Sequence, residues 1–197
     1  VYFDDEYSLV PLINGGNGCD EHPTQTLLDL YTIKKEKGGI NGLNIALVGD
    51  LKHARTMHSL VKGLSYYHAT IFLVSPEELR LPEKLLDLLR QRRITHIETP
   101  NLLEVLGEVD VLYIVMLQHH RIPDHHVVKR LRQEYYRITP ELLTKAKQEL
   151  TILHPLVRQE EVFPEVDALS NAAYFRQARN GVVVRMALIY QMLKEKL

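Results

Sequence analysis

Apolar positions along the chain fall into short runs separated by longer amphipathic stretches. Asn44 to Val48, Thr70 to Val74, Ile94 to Ile97, Asp110 to Met116 and Leu150 to Leu153 are runs of strand length, bounded by turn residues and rich in side chains that fit a pleated surface. Helical spacing sets in between them. The stretch opening at Pro23 turns Leu27, Leu28, Tyr31 and Leu30 toward one face and stops at Gly38-Gly39; a proline suits a first helical turn and glycine suits the end. A helix is predicted from near His53. Another runs from Pro82 to Arg92 with Leu81, Leu85, Leu88 and Leu89 inward, a brief one covers Leu102 to Leu106, and Thr139-Pro140-Glu141 caps one to about Gln148. Toward the end, Asn171 to Ala178 predicts one helix, Asn180-Gly181 a turn, and Val182 to Leu193 a final helix that is apolar on nearly every side except at Arg185 and Gln191.

Strands alternating with helices at this spacing predict an α/β fold, a doubly wound parallel sheet of about five strands with helices on both faces. The unbroken apolar run Asp110 to Met116 suits a parallel strand covered on both sides. A helix apolar all round must be buried. A five-stranded domain has no obvious room to surround Val182 to Leu193, so that helix predicts contact with another domain or another subunit. Residues 1–9 mix acids and aromatics without a period and form an N-terminal extension or linker without an assigned role; residues 10–197 form the domain.

Composition narrows the partners. At 197 residues with 45% hydrophobic side chains the chain can bury the core of one domain. The 24 Lys and Arg balance 25 Asp and Glu, which gives no footprint for nucleic acid or a membrane surface and favours a small-molecule or protein partner. A lone Cys19 excludes an internal disulfide framework and favours a reducing compartment. Without a membrane-length apolar run or an opening signal peptide, the expected location is cytoplasmic.

Candidate chemistry gathers after the first strand. Ligands of open α/β sheets bind beyond the carboxyl ends of the strands, where Asp50, Lys52, Arg55, Thr56 and His58 follow Gly49. Lys52 and Arg55 beside a helix N-terminus predict an anion site, since the helix dipole and unpaired N–H groups add to their charge. The glycines of Asn14 to Gly18 allow close backbone approach to a ligand. His22 and Gln25 flank the first helix start, and Arg158 follows the fifth strand. Four histidines between His119 and His126 raise the question of a metal. Adjacent histidines on an extended segment point oppositely, however, and no cysteine or clustered carboxylate completes a tetrahedron, so the segment is expected to be a solvated loop. No G-x-G-x-x-G follows a strand, which argues against a dinucleotide-binding module.

Taken together, the N-G-G-N-G loop with E-H-P-T-Q-T-L-L-D-L, the run G-D-L-K-x-x-R-T-x-H-S, V-D-V-L-Y, the segment H-P-L-x-R and A-A-Y-F-R-Q-A-x-N-G with R-M-A-L resemble the aspartate carbamoyltransferases, in the same order and from about Val10 to the end. The resemblance implies attack of the aspartate amine on carbamoyl phosphate, without metal, cofactor or covalent intermediate, through positioning and oxyanion stabilisation. It implies that His22 hydrogen-bonds the carbonyl oxygen of carbamoyl phosphate, that Gln25 holds its amino group, and that Arg55 takes the α-carboxylate of aspartate. Lys52 and Asp50 would place the turn, Gln118 would lie beside the side-chain carboxylate, and Leu156 would offer a backbone contact. It further implies that this is the aspartate-binding domain alone, that its final helix, 182–197, packs on a carbamoyl-phosphate domain absent from the chain, that the isolated chain is inactive, and that the working form is a homotrimer or multienzyme assembly.

Two positions and one short segment depart from the family pattern. Met116 stands where the family has the arginine of T-R-x-Q, Val157 replaces the proline of H-P-L-P, and His119-His120-Arg121 replaces K-E-R. A charge-assisted pair is worth about 1.5 to 3 kcal/mol and stranding its carboxylate in a dry site costs about 3 to 5, so aspartate affinity is expected to fall by about two to three powers of ten or more. Two alternatives follow from Met116: a degenerate homologue with a structural or assembly role, and a transcarbamoylase for a less acidic amino acid. The ornithine enzymes, however, carry H-C-L-P where this chain has His154-Pro155-Leu156-Val157.

Overall fold

The computed structural model describes residues 12–18 and 20–194; the extension expected over residues 1–9 lies outside them. Five strands, β1 (Asn44–Val48), β2 (Thr70–Val74), β3 (His96–Thr99), β4 (Val111–Ile114) and β5 (Thr151–Leu153), form one sheet in the order β3-β2-β1-β4-β5. Every pairing is parallel, with Asn44 opposite Thr70 and Ile45 opposite Val111. The chain steps outward from β1 in both directions, so a crevice opens between the carboxyl ends of β1 and β4, the switch point where doubly wound sheets bind ligands.

Alternating side chains of the strands supply two cores. Ile45, Leu47, Ile71, Leu73 and Tyr113 face α1 (Pro23–Lys37), α2 (Arg55–Leu64) and α3 (Glu83–Gln91). Ala46, Val48, Phe72, Leu112 and Ile114 face α4 (Leu102–Val105), α6 (Pro140–Leu143) and the segment around Val162 and Val166. The doubly wound α/β fold expected from the sequence is the one observed.

Several local expectations are corrected. In α1 the inward face is Thr24, Gln25, Leu28, Asp29, Thr32 and Ile33, while Leu27 and Tyr31 are exposed; hydrogen bonds among polar groups, invisible to an apolar count, orient this helix. In α3, Leu86 is buried beside Leu85 and Leu89. The histidine-rich segment is not an open loop: residues 119–121 form a 3₁₀ turn, and α5 (His125–Glu134) follows, its first N–H groups capped by the Asp124 carboxylate. The helix expected to Gln148 stops at Leu143.

The largest correction is α7, a single helix Tyr174–Lys194 that runs through Asn180-Gly181 without a turn. That pair sits against α1, where Asn180 donates through Nδ2 to Thr32 Oγ1 at 3.0 Å. A Cβ on Gly181 would come within 3.0 Å of the Leu28 side chain, so the glycine serves close helix approach. Farther along α7, Val182, Val183, Met186, Ile189, Tyr190 and Leu193 are between 48% and 65% exposed: nothing among the described residues covers the face whose sequence calls for burial. No helix among the described residues is long and apolar enough to cross a membrane.

Candidate active site

A cleft of about 340 Å³ lies at the switch point. From the α1 side it is lined by Gly18, His22 and Gln25; from the β1–α2 turn by His53, Ala54, Arg55 and Thr56; from the end of β4 by Val115, Met116, Gln118 and Arg121; and from beyond β5 by residues 154–157. Six side chains singled out in the sequence, His22, Gln25, Arg55, Met116, Gln118 and Leu156, therefore meet across one cavity, although residues 22 and 156 lie far apart in the chain.

Each wall is built locally. Arg55 is the first residue of α2, after Ala54 in extended conformation, so its guanidinium leaves the helix start and lies over the glycine loop. A Cβ on Gly16, whose φ is 134°, would stand 2.8 Å from Arg55 Nη1, so a side chain there would displace the guanidinium. The backbone N–H of His22 donates to Ser59 Oγ at 2.8 Å, and Glu21 accepts from Ser59 and Lys62. Burial, followed by the nearby Arg55 and Arg185 guanidinium groups, lowers the His22 pKa below the usual imidazole value. His22 is therefore neutral at neutral pH, and a neutral imidazole has one N–H to donate and one lone pair to accept.

Asp50 and Lys52 take different places. Asp50 is fully buried behind the cleft, where Oδ1 accepts from the His53 N–H at 2.9 Å and Oδ2 from the Gln118 N–H at 3.1 Å. It ties the β1–α2 turn to the end of β4 and sets wall geometry. Lys52 is exposed and is not among the lining residues. His58 is buried with Nε2 against the Leu51 and Lys52 carbonyls, and Thr56 lines the cleft. Arg158 is engaged elsewhere, held by the Asp167 carboxylate and donating to Tyr174 Oη at 3.0 Å.

One lining residue, Arg121, and the support behind another, Leu156, were not singled out from the sequence. Arg121 sits in the cleft with Nη1 donating to the His53 carbonyl at 2.8 Å; with Arg55 it makes two permanent cations in the lining. The 154–157 segment is shaped from behind. The Leu156 N–H donates to His154 Nδ1 at 2.8 Å, the Leu156 φ is 58°, and His154 Nε2 lies 2.8 Å from Glu161 Oε1. Burial raises the Glu161 pKa, but the His154 imidazole and backbone N–H groups outweigh it and hold the carboxyl low. Among the described residues, no three His, Cys, Asp or Glu side chains gather as a metal site.

The model of the aspartate/ornithine carbamoyltransferase Asp/Orn binding domain matches residues 41–192, and that of the carbamoyl-P binding domain matches residues 4–35. His22, Gln25 and all but the last two residues of α1 thus fall in the second match, while Arg55, Met116, Gln118 and Leu156 fall in the first. The aspartate carbamoyltransferase catalytic subunit of Leptospira biflexa is 51% identical over 180 residues, covering 91% of this chain and 57% of that protein. The catalytic subunit from Methanopyrus kandleri is 50% identical over 185 residues, covering 93% of this chain and 60% of that protein. Among solved structures, the catalytic subunit of M. jannaschii aspartate transcarbamoylase superposes with a TM-score of 0.88 at 42% identity, over 96% of this chain and 61% of that one. Aspartate transcarbamoylase from Trypanosoma cruzi in complex with carbamoyl aspartate and phosphate superposes with a TM-score of 0.80 at 39% identity, over 90% of this chain and 56% of that one. The chain spans roughly three fifths of the length of the curated relatives it matches, 57% and 60% for the two above. On the match over residues 41–192, the chain belongs to the aspartate/ornithine carbamoyltransferase family.

Proposed function

We propose that this chain supplies the amino-acid-binding half of an aspartate carbamoyltransferase, with α1 contributing the edge that meets carbamoyl phosphate. The observation that carries the reading is the convergence of His22, Gln25, Arg55, Gln118, Arg121 and Leu156 on one cleft at the switch point. Carbamoyl phosphate would lie against α1. Neutral His22 donates to its carbonyl oxygen, where charge accumulates as the aspartate amine adds, so the bond is strongest in the transition state. Gln25 commits its Nε2 to Asp29 at 2.9 Å, which leaves Oε1 to accept from the carbamoyl amino group. The tetrahedral adduct then collapses to carbamoyl aspartate as the C–O bond to phosphate breaks, the departing phosphate taking the amine proton. Positioning and electrostatics supply the rate, and no covalent intermediate on the protein is required.

Aspartate brings two carboxylates. Arg55 takes the α-carboxylate at the start of α2, where the helix dipole adds to its charge. Because Met116 offers no charge, the side-chain carboxylate turns to Arg121, whose Nη1 is already fixed by the His53 carbonyl while the rest of its guanidinium fork keeps donors in hand. The carbamoyl-P domain, or a neighbouring subunit of an assembly, covers the exposed apolar face of α7 and completes the phosphate side. The test is carbamoyl aspartate formation by protein bearing both domains, with aspartate titrated to high concentration. Saturable turnover supports the reading. Folded, assembled protein without turnover would favour the structural homologue suggested by Met116.

A further inference from the structure

Asp29 does not reach the cleft, yet it joins the cleft's two walls. It is fully buried on α1. Its Oδ1 accepts from Gln25 Nε2 at 2.9 Å and from Gln177 Nε2, on α7, at 2.6 Å; its Oδ2 accepts from Tyr113 Oη, on β4, at 2.9 Å. Gln177 passes the connection on, because its Oε1 accepts the His154 N–H at 2.9 Å, and His154 in turn accepts from the Leu156 N–H. One carboxylate thus links α1, β4, α7 and the 154–157 backbone.

We propose that Asp29 is a positioning residue for carbamoyl transfer, one that fixes the Gln25 amide with Oε1 toward the cleft and registers α1 against the 154–157 segment through Gln177. The inference rests on the proposed reaction for its kinetic part. Asp29 Oδ1 accepts from both glutamine amides, and as an acceptor oxygen with any proton of the carboxyl on Oδ2 it selects one of the two amide orientations that Gln25 could otherwise adopt. An unanchored amide would present Nε2 to the cleft half the time, opposing an N–H to the carbamoyl N–H groups. The network is held against its own cost. Burial pushes the Asp29 carboxyl up to about 7 despite three hydrogen bonds and the Arg185 charge, whereas an apolar side chain would fill such a site without that penalty.

The experiment uses protein carrying this chain together with the carbamoyl-P binding domain, in wild-type, Asp29→Asn, Asp29→Ala, Gln25→Ala and doubly substituted forms. Asparagine keeps an oxygen for both glutamine amides and can donate to Tyr113, whereas alanine leaves all three donors unpaired. Asp29→Ala is expected to lower kcat/KM about 10- to 100-fold, Asp29→Asn to stay within about threefold, and Asp29→Ala with Gln25→Ala to lose little more than Gln25→Ala alone, since coupled residues are not additive. Losses that multiply, or an Asp29→Ala enzyme within twofold of wild type, overturn the kinetic role. Amide hydrogen exchange tests the linkage whatever the reaction. Exchange at residues 153–157 should quicken in Asp29→Ala and not in Asp29→Asn; unchanged exchange in both overturns it. Absence of turnover in the wild type would instead refute the proposed reaction and leave exchange to decide. Should Asp29→Ala fail to fold, Gln177→Met cuts the same link with side-chain volume kept, and the same two exchange results decide.

Discussion

The two walls of the cleft are built differently. On the α1 side the His22 backbone N–H donates to Ser59, the Gln25 amide is held by buried Asp29, and the Arg55 guanidinium lies over Gly16. On the facing side Met116 brings no polar group, the Gln118 amide makes only a 3.4 Å contact to the Met116 carbonyl, and Val157 is 80% exposed. The α1 side carries no departure from the family pattern, whereas Met116, Val157 and residues 119–121 all belong to the facing side, beside the retained Gln118 and Leu156. Reaction chemistry needs fixed donors at developing charge. Amino-acid selection can be altered by exchanging a few side chains in a less constrained wall, and there the sequence has changed.

Removing the central cation should have the largest effect. Arg55→Met strands a substrate carboxylate, a loss of about 3 to 5 kcal/mol, and kcat/KM for aspartate is expected to fall about a thousandfold. A fall of less than tenfold in steady-state assays would mean that the α-carboxylate binds elsewhere. The next substitutions sharpen the contrast between walls. Met116→Arg restores a charge-assisted pair worth about 1.5 to 3 kcal/mol and should lower the KM for aspartate about tenfold or more, with that for carbamoyl phosphate nearly unchanged. Arg121→Gln should raise the aspartate KM about tenfold, and less so in the Met116→Arg background, where the second carboxylate has a new partner. Arg121→Gln with an unchanged aspartate KM would remove Arg121 from substrate recognition.

The sheet could be seen in the sequence because its signal is local: short runs rich in branched residues predict strands, and each of the five runs overlaps an observed strand, although β3 begins at His96, two residues beyond the expected start at Ile94. The convergence of His22, Arg55, Gln118 and Leu156 was visible only through the motif resemblance. Arg121 entered only as part of an altered loop, since its place in the cleft depends on a hydrogen bond to the distant His53 carbonyl. The polar face of α1 escaped an apolar count for a similar reason: Asp29 and Thr32 are buried because Gln177, Tyr113 and Asn180 satisfy them from other elements. Asn180-Gly181 has turn composition, and tertiary packing against Leu28 overrode it.

A smaller effect follows from pH. The Asp29 carboxyl is raised by burial from an ordinary 3.8 to about 7, so between those values the folded protein holds a proton that the unfolded chain has released. Stability from this group is full below about 4 and declines as pH rises to about 7, beyond which it is constant. His22, lowered in the fold, acts in the opposite sense and withdraws stability as pH falls below its usual value. Denaturant midpoints measured across pH 4 to 8 should lose the descending part in Asp29→Asn. A curve superimposable on wild type would show that Asp29 does not titrate in this window.

The smallest expected effect lies on the outer half of α7, and it discriminates most sharply where that helix packs. Val182 and Met186 are 60% and 64% exposed. In this chain alone, Val182→Ser and Met186→Ser should each shift stability by no more than about 0.5 kcal/mol, as exposed substitutions do. With the carbamoyl-P domain present, burial of these side chains should raise the cost to about 1 to 2 kcal/mol each. Denaturant unfolding of the two forms reads the difference directly. Equal, small effects in both would mean that the apolar face of α7 meets neither that domain nor a neighbouring subunit.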